Sequence, residues 1–232
     1  MNESGIGTVL GKEYDRIAGT IGREDAFYER ILALHSTYYG KILDIACGPG
    51  LLLKKLSDAA PRAQLFGIDI SPKLCEIAKE RNPEAEIQVG DAESLPYADE
   101  TFDFVFMTET LAHLPRPSKA LSEAHRVLKP TGIFILTVPN RDWLRYEFYE
   151  RMRKEKFPTG THYFRFKEIE SLLRGSGFRI TRYMGSDNLY YYEPYHRYEQ
   201  MLAFFLPFLH KRMKRLLFKC QKDVQTPMLG RQ

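Results

Sequence analysis

Short apolar runs recur along the chain, each closed by glycine or a polar cluster and followed by a stretch with helical spacing. Residues 41–46 form one such run and end in glycines. Residues 64–70 ("QLFGIDI"), 86–89, 102–107 ("FDFVFM") and 133–138 ("IFILTV") are the next four. Between them, residues 51–56 read as a helix. Ser71-Pro72 supplies an N-cap and a first-turn proline for a helix through Lys79. A further helix over 118–128 stops at Lys129-Pro130-Thr131-Gly132. Upstream, Tyr14, Ile17, Ala18, Ile21, Phe27, Ile31, Leu32 and Leu34 follow a roughly helical period within 11–38. The strand runs are continuously apolar rather than alternating, the pattern of strands covered on both faces. The expected fold is therefore α/β, a doubly wound, mostly parallel sheet. Ligands of such sheets lie beyond the carboxyl ends of the strands, at the switch point.

Beyond Pro139 the pattern loosens. Residues 140–157 are aromatic, basic and helical in spacing. A helix from about Lys167, a glycine break and a sixth strand near 178–184 follow. Residues 187–195 are rich in tyrosine, and 199–220 read as a basic amphipathic helix or helix pair. No convincing seventh strand is visible: "NLYYYEPY" follows the sixth too closely and contains Pro194. The sheet is expected to be one strand short or completed by a partner. The organisation is a single domain with a helical segment at 1–38, a core at 39–185 and a basic extension at 186–232.

Charge sharpens only the last of these. The 232 residues carry a formal net charge of +4, with 44% hydrophobic and 28% charged residues, which is ordinary for a globular chain. Residues 195–232 hold eight Lys/Arg against two acids, so the basic character is concentrated there. Cys47, Cys75 and Cys220 are far apart and make no zinc-type pair, so no metal site is expected. Isolated cysteines and an N-terminus without a basic-then-apolar leader point to a reducing, cytoplasmic location.

The stretch "LDIACGPG" (43–50) places a glycine turn between a strand and a helix. A dinucleotide fingerprint needs a third glycine where Leu53 stands, and Leu53 would crowd the approach of helix to strand. A P-loop needs Lys-Ser/Thr after its last glycine, where Leu51 and Leu52 stand. Two acids fit another ligand. Asp69, near the end of the second strand, can accept both hydroxyls of a ribose. Asp91 follows the third strand, where its carboxylate can accept from an exocyclic amine while Ala92 offers backbone. Together these suit a nucleoside without phosphate.

With "LDIACGPG", "FGIDISPKLCEIAKER", "VGDAESLPYADETFDFVFMTETLAHL" and "ALSEAHRVLKPTGIFILTVPN" in this order, residues 38–140 resemble the class I S-adenosylmethionine-dependent methyltransferases. The resemblance is to the branch that includes quinone-biosynthesis and many small-molecule enzymes, and continues more weakly to Met184. It implies methyl transfer from S-adenosylmethionine, with S-adenosylhomocysteine as product. It implies that Asp69, with Ile70 beside it, holds the ribose. Asp91 and Ala92 hold the adenine, and Ala46, Cys47 and Gly48 present backbone to the methionine part. Asp44 sits near the methionine ammonium, and Thr108 lies under the cofactor. Tyr14 resembles the aromatic residue of a lid, which makes 1–38 a helical lid. Ala46 departs from the glycine common at its position, a small change because alanine is small.

Other residues stay open between two readings. His113, after the fourth strand, is a general base or a histidine bonding nearby backbone. His162 and Tyr163 are candidates for the acceptor pocket. Cys47 reads better as a buried filler than as a nucleophile, and His125 as a surface residue. The tail is either a helix packed on the sheet or a surface for anionic membrane and lipid-like substrate. A nucleic-acid partner is disfavoured, since "MTET" replaces the DPPY- or NPPY-like signature of nucleic-acid amino-methyltransferases. Besides the enzyme, two further classes stay in view: a non-catalytic protein that keeps the cofactor fold, and a nicotinamide dehydrogenase, which Leu53 argues against. The expected acceptor is a small or lipid-like molecule.

Overall fold

The computed structural model describes residues 25–143, 162–186, 211 and 214–223. Tyr14, the tyrosine-rich stretch 187–195 and residues 199–210 lie outside the described residues. The elements are α1 (Asp25–Leu32), β1 (Lys41–Ile45), α2 (Leu51–Ala59), β2 (Gln64–Asp69), α3 (Pro72–Arg81), β3 (Glu86–Val89), β4 (Phe102–Thr108), α4 (Pro117–Val127), β5 (Leu128–Pro139), α5 (Phe166–Gly175), β6 (Phe178–Ser186) and β7 (Arg215–Lys222). A 3₁₀ turn at Leu111–His113 precedes α4.

The seven strands form one sheet in the order β3-β2-β1-β4-β5-β7-β6. β1 pairs in parallel with β2 and β4, so the strand order reverses at β1/β4. β7 is antiparallel to both β5 and β6. This corrects the expectation of a missing strand: β7 begins inside the stretch 199–220 that spacing assigned to an amphipathic helix and runs two residues past it. Arg215, Lys219 and Lys222 fall at i, i+4 and i+7, which imitates a polar helical stripe. In the sheet each finds a separate partner. Arg215 Nε lies 2.7 Å from Glu109, Lys219 Nζ lies 2.9 Å from His35 Nδ1, and Lys222 Nζ lies 3.9 Å from Glu100. Leu216, Leu217, Phe218 and Cys220 between them are fully buried, because β7 is covered on both faces.

Two apolar layers flank the sheet. One joins Phe102, Val105, Phe134 and Phe218 to Leu121 of α4 and to Ile169 and Leu173 of α5. The other joins Ile42, Phe104, Phe106 and Leu217 to Ile31 of α1 and to Leu53 and Leu56 of α2. Phe178 stacks on Phe134 at 4.6 Å, with His125 edge-on at 5.2 Å. His125 is thus packed under the α5–β6 turn rather than simply on the surface. The core positions each strand end by burial, while the connections at those ends remain free to carry chemistry.

Candidate functional site

The loops at the carboxyl ends of β1, β2, β3 and β4 converge at the point where the strand order reverses. After β1 the chain turns sharply through Ala46 (φ 56°), Gly48 (φ 53°) and Gly50 (φ 75°). Asn82 Nδ2 donates to the Gly50 carbonyl at 3.0 Å, and the Arg81 guanidinium donates to the Pro49 carbonyl. A side chain at Gly50 would meet Asn82 and Ala78, so the turn packs tightly on α3. At Gly48 an added Cβ would meet nothing within 4 Å, so this backbone faces open space.

Two expectations about this turn change. Leu53 does not crowd the strand, because the glycine that permits close approach is on the other side. A Cβ at Gly67 of β2 would lie 2.9 Å from Leu53 Cδ1 and 3.0 Å from Cys47 Sγ. Ala46 is not a small departure either. Its φ lies in the left-handed region, which costs an L-residue roughly 1–2 kcal/mol. Ala46→Gly is therefore expected to raise stability by about 0.5–1 kcal/mol, after the extra chain entropy of glycine. Denaturant unfolding of the two proteins checks this; a loss of stability would contradict the strain argument.

Asp69 is 7% exposed at the end of β2. Its Oδ2 accepts from the Gly48 N–H and its Oδ1 from the Ser71 N–H, both at 2.9 Å. It locks the β1 turn to the head of α3, where Ser71 caps Leu74 as expected. Burial raises its pKa, against the donors from Ser71, Gly48 and Ile70. Ile70 beside it is 53% exposed, an apolar side chain held at the rim. Asp91 is exposed, and its Oδ1 accepts from the Glu93 N–H at 2.8 Å, which makes it a turn aspartate. Ala92 is buried beneath it. Glu93, 2% exposed, accepts from Arg116 Nε at 2.7 Å and from the Arg116 N–H at 2.9 Å. That carboxylate ties the Asp91 loop to the loop after the 3₁₀ turn.

Asp44 is the most telling group. It is 1% exposed on β1, and its Oδ1 has no hydrogen-bond partner among the described residues. Burial pushes its pKa well above the usual carboxylate range, and the charge of Asp69 adds to the shift. A buried carboxyl without a donor is costly, and such a group in a native fold calls for a ligand or a role. The Cys47 thiol is driven up by burial, then by Asp44 and Asp69, so it holds its proton and is no nucleophile at neutral pH.

On the β4 side, Thr108 is half-buried at the strand end and Glu109 follows with φ 56°. The Glu109 carboxylate accepts from Thr137 Oγ1 at 3.0 Å and from Arg215 Nε at 2.7 Å. The Arg215 guanidinium lies 4.5 Å over the ring of Phe27. The pairing of β7 with β5 creates this cluster, so nothing local in the sequence marks Arg215; only Glu109, in "MTET", stood inside a motif. His113 is half-buried in the 3₁₀ turn, its pKa lowered by burial against a smaller upward pull from Glu109. Neutral imidazole is the form that accepts a proton. The His162 N–H donates to the Ala112 carbonyl at 2.8 Å, which brings the 162–164 segment beside His113. His162 Nε2 lies 2.7 Å from Glu168 Oε1, and Tyr163 is half-buried next to it. The structure thus gathers Asp44, Ala46, Cys47, Gly48, Asp69, Ile70, Asp91, Ala92 and Thr108 around one end of the sheet. It sets His113 and His162 along the adjoining β4 side.

Known proteins resemble the chain in sequence over this region and in fold. Residues 43–136 match the family model "Methyltransferase domain". Over 133 residues the chain is 35% identical to demethylmenaquinone methyltransferase of Staphylococcus aureus, covering 54% of this chain and 55% of that protein. Over 124 residues it is 39% identical to a "probable methyltransferase ltbC" of Aspergillus luteorubrus, covering 47% and 42%. The chain thus spans about half the length of these curated relatives. A solved SAM-dependent methyltransferase of Thermotoga maritima superposes with a TM-score of 0.70 at 22% identity, over 94% of this chain and 99% of that one. That likeness establishes the fold.

Proposed function

We propose that the chain, whose residues 43–136 match a methyltransferase-domain family model, is a class I S-adenosylmethionine-dependent methyltransferase that transfers a methyl group to a small-molecule or lipid-like acceptor. The observation that carries this reading is the buried carboxyl of Asp44, whose Oδ1 has no hydrogen-bond partner among the described residues, between the glycine turn and Asp69. A cationic ammonium placed there supplies the missing donor. The other residues fit the same ligand. Asp69 keeps lone pairs for a ribose diol, the bare backbone at Gly48 allows close approach, and Ile70 can cover a planar ring. S-adenosylmethionine, when bound, supplies an electrophilic methyl group on a sulfonium. The chain's own part is to position and to exclude water. Asp44 and Asp69 fix the two ends of the ligand, and the Glu109–Arg215–Thr137 clamp holds the strained turn after β4. His113 is placed to take a proton where the acceptor requires its removal.

Asp44→Asn separates binding from folding. The folded-state pKa of Asp44 is raised, so its stabilising share is complete below the ordinary carboxylate pKa and is lost as pH rises through the raised value. At neutral pH Asp44→Asn is expected to raise the Tm of the free protein by about 2–4 °C. Affinity for S-adenosylhomocysteine falls about 10–100-fold in the same variant. The Tm gain shrinks below about pH 4. Thermal melts with and without ligand check both parts; a destabilised free protein with unchanged affinity contradicts the assignment.

Activity is tested by incubating the chain with methyl-labelled S-adenosylmethionine and a mixed small-molecule and lipid extract. Label in an extractable product supports the enzyme. Ligand binding without any labelled product supports the non-catalytic reading. Peripheral contact with anionic membranes belongs to this proposal through residues 199–214, whose apolar run is followed by Lys211, Arg212 and Lys214, since β7 takes up Arg215, Lys219 and Lys222. It predicts salt-sensitive co-sedimentation with anionic vesicles. No helix among the described residues is long and apolar enough to cross a membrane.

A further inference from the structure

The opposite end of the sheet carries a second feature that methyl transfer does not use. Where the amino ends of β1, β2, β4 and β5 emerge, Lys41, Arg62, Gln64, Thr101, Asp103 and Lys129 line an open groove of about 550 Å³. This size lies within the ~300–1,000 Å³ range of small-ligand sites. The five residues of β1 separate it from the glycine turn by about 16 Å.

The groove has three cations and one carboxylate, and that carboxylate is already engaged. Asp103 Oδ1 pairs with Lys129 Nζ at 2.8 Å, and Oδ2 accepts from the Lys41 N–H at 2.9 Å. The Lys41 ammonium lies 5.8 Å over the Phe66 ring, and neither it nor the Arg62 guanidinium has a carboxylate partner among the described residues. Thr101 Oγ1 donates to the Ala98 carbonyl at 2.7 Å, which leaves its lone pairs toward a protonated ligand oxygen. At Gly40 any side chain would strike the Asp103 carboxylate, so the glycine lets that carboxylate close onto the Lys41 N–H, which occupies it there. Beside Gly40, Tyr39 is 59% exposed, its ring edge-on to Phe104 at 5.3 Å. Two unpaired cations at the mouth of a concave surface focus a positive potential and favour a dianion, which a guanidinium binds in bidentate fashion.

We propose that this groove is a binding site for a small phosphoryl dianion, separate from the methyl-transfer site. Two sources share that chemistry: a plain phosphate or pyrophosphate, and a nucleotide whose ring stacks on Tyr39. The test is an NMR titration of the full chain at low salt, saturated with S-adenosylhomocysteine to keep probes from the other end. The probes are inorganic pyrophosphate and UDP. The expected result is saturable shifts at Lys41, Arg62 and Thr101, with affinity lowered at least about tenfold in Lys41→Ala/Arg62→Ala and by added salt. The double variant leaves the main-chain bond to Asp103 and the affinity for S-adenosylhomocysteine unchanged. UDP binding more tightly than pyrophosphate, with the gain lost in Tyr39→Ala, assigns the nucleotide; equal affinities assign the plain anion. Absence of saturable shifts with both probes, or equal affinity in the double variant, overturns the proposal. Neither outcome depends on whether the chain methylates anything.

Discussion

Asp69→Ala is expected to weaken S-adenosylhomocysteine binding about 10²–10⁴-fold in calorimetry. Hydrogen bonds to a charged group contribute roughly 1.5–3 kcal/mol each, and a ribose diol makes two. The same substitution frees the N–H groups of Gly48 and Ser71, which Asp69 holds at 2.9 Å, so the glycine turn loses its anchor to α3. Asp69→Asn preserves the shape and one acceptor oxygen. It is expected to bind with intermediate affinity, which separates lost ligand contacts from a collapsed loop. Unchanged affinity in the folded alanine variant would sink the site assignment.

Phe218→Ala is expected to cost about 3–5 kcal/mol of stability. The ring is fully buried in β7, between β5 and β6, and lies 5.7 Å from Phe166 of α5. A surface helix over the same residues would lose less than about 1 kcal/mol. Urea unfolding therefore decides between the two arrangements. A small loss would contradict a β7 core strand.

The strand ends were legible because burial on both faces leaves a plain sequence mark, an apolar run cut off by glycine or a capping pair. Residues 64–69, the Ser71 cap and the end of β4 follow that logic closely, whereas the edge strand β3 alternates and is marked by the Gly90 that follows it. Asp44 and Asp69 could be named because each occupies the last turns of such a run. What they do there could not be read: that Asp44 lacks a donor, or that Asp69 holds Gly48, depends on strands twenty and more residues apart. β7 was hidden by its own cations, whose spacing imitates a helix while their partners Glu109, His35 and Glu100 come from three separate connecting segments. The Glu109–Arg215 pair was invisible for the same reason, since it exists only once β7 inserts next to β5. Ala46 is small, so its sequence carries no sign of strain; the cost lies in its left-handed backbone, which only the turn reveals.

The most direct test of the central claim is a calorimetric titration of the unmodified chain with S-adenosylhomocysteine, with NADH as comparator. One-to-one saturable binding of S-adenosylhomocysteine and none of NADH is the predicted result. Binding of NADH without S-adenosylhomocysteine would contradict it, because the glycine turn, Asp44 and Asp69 would then serve a different cofactor.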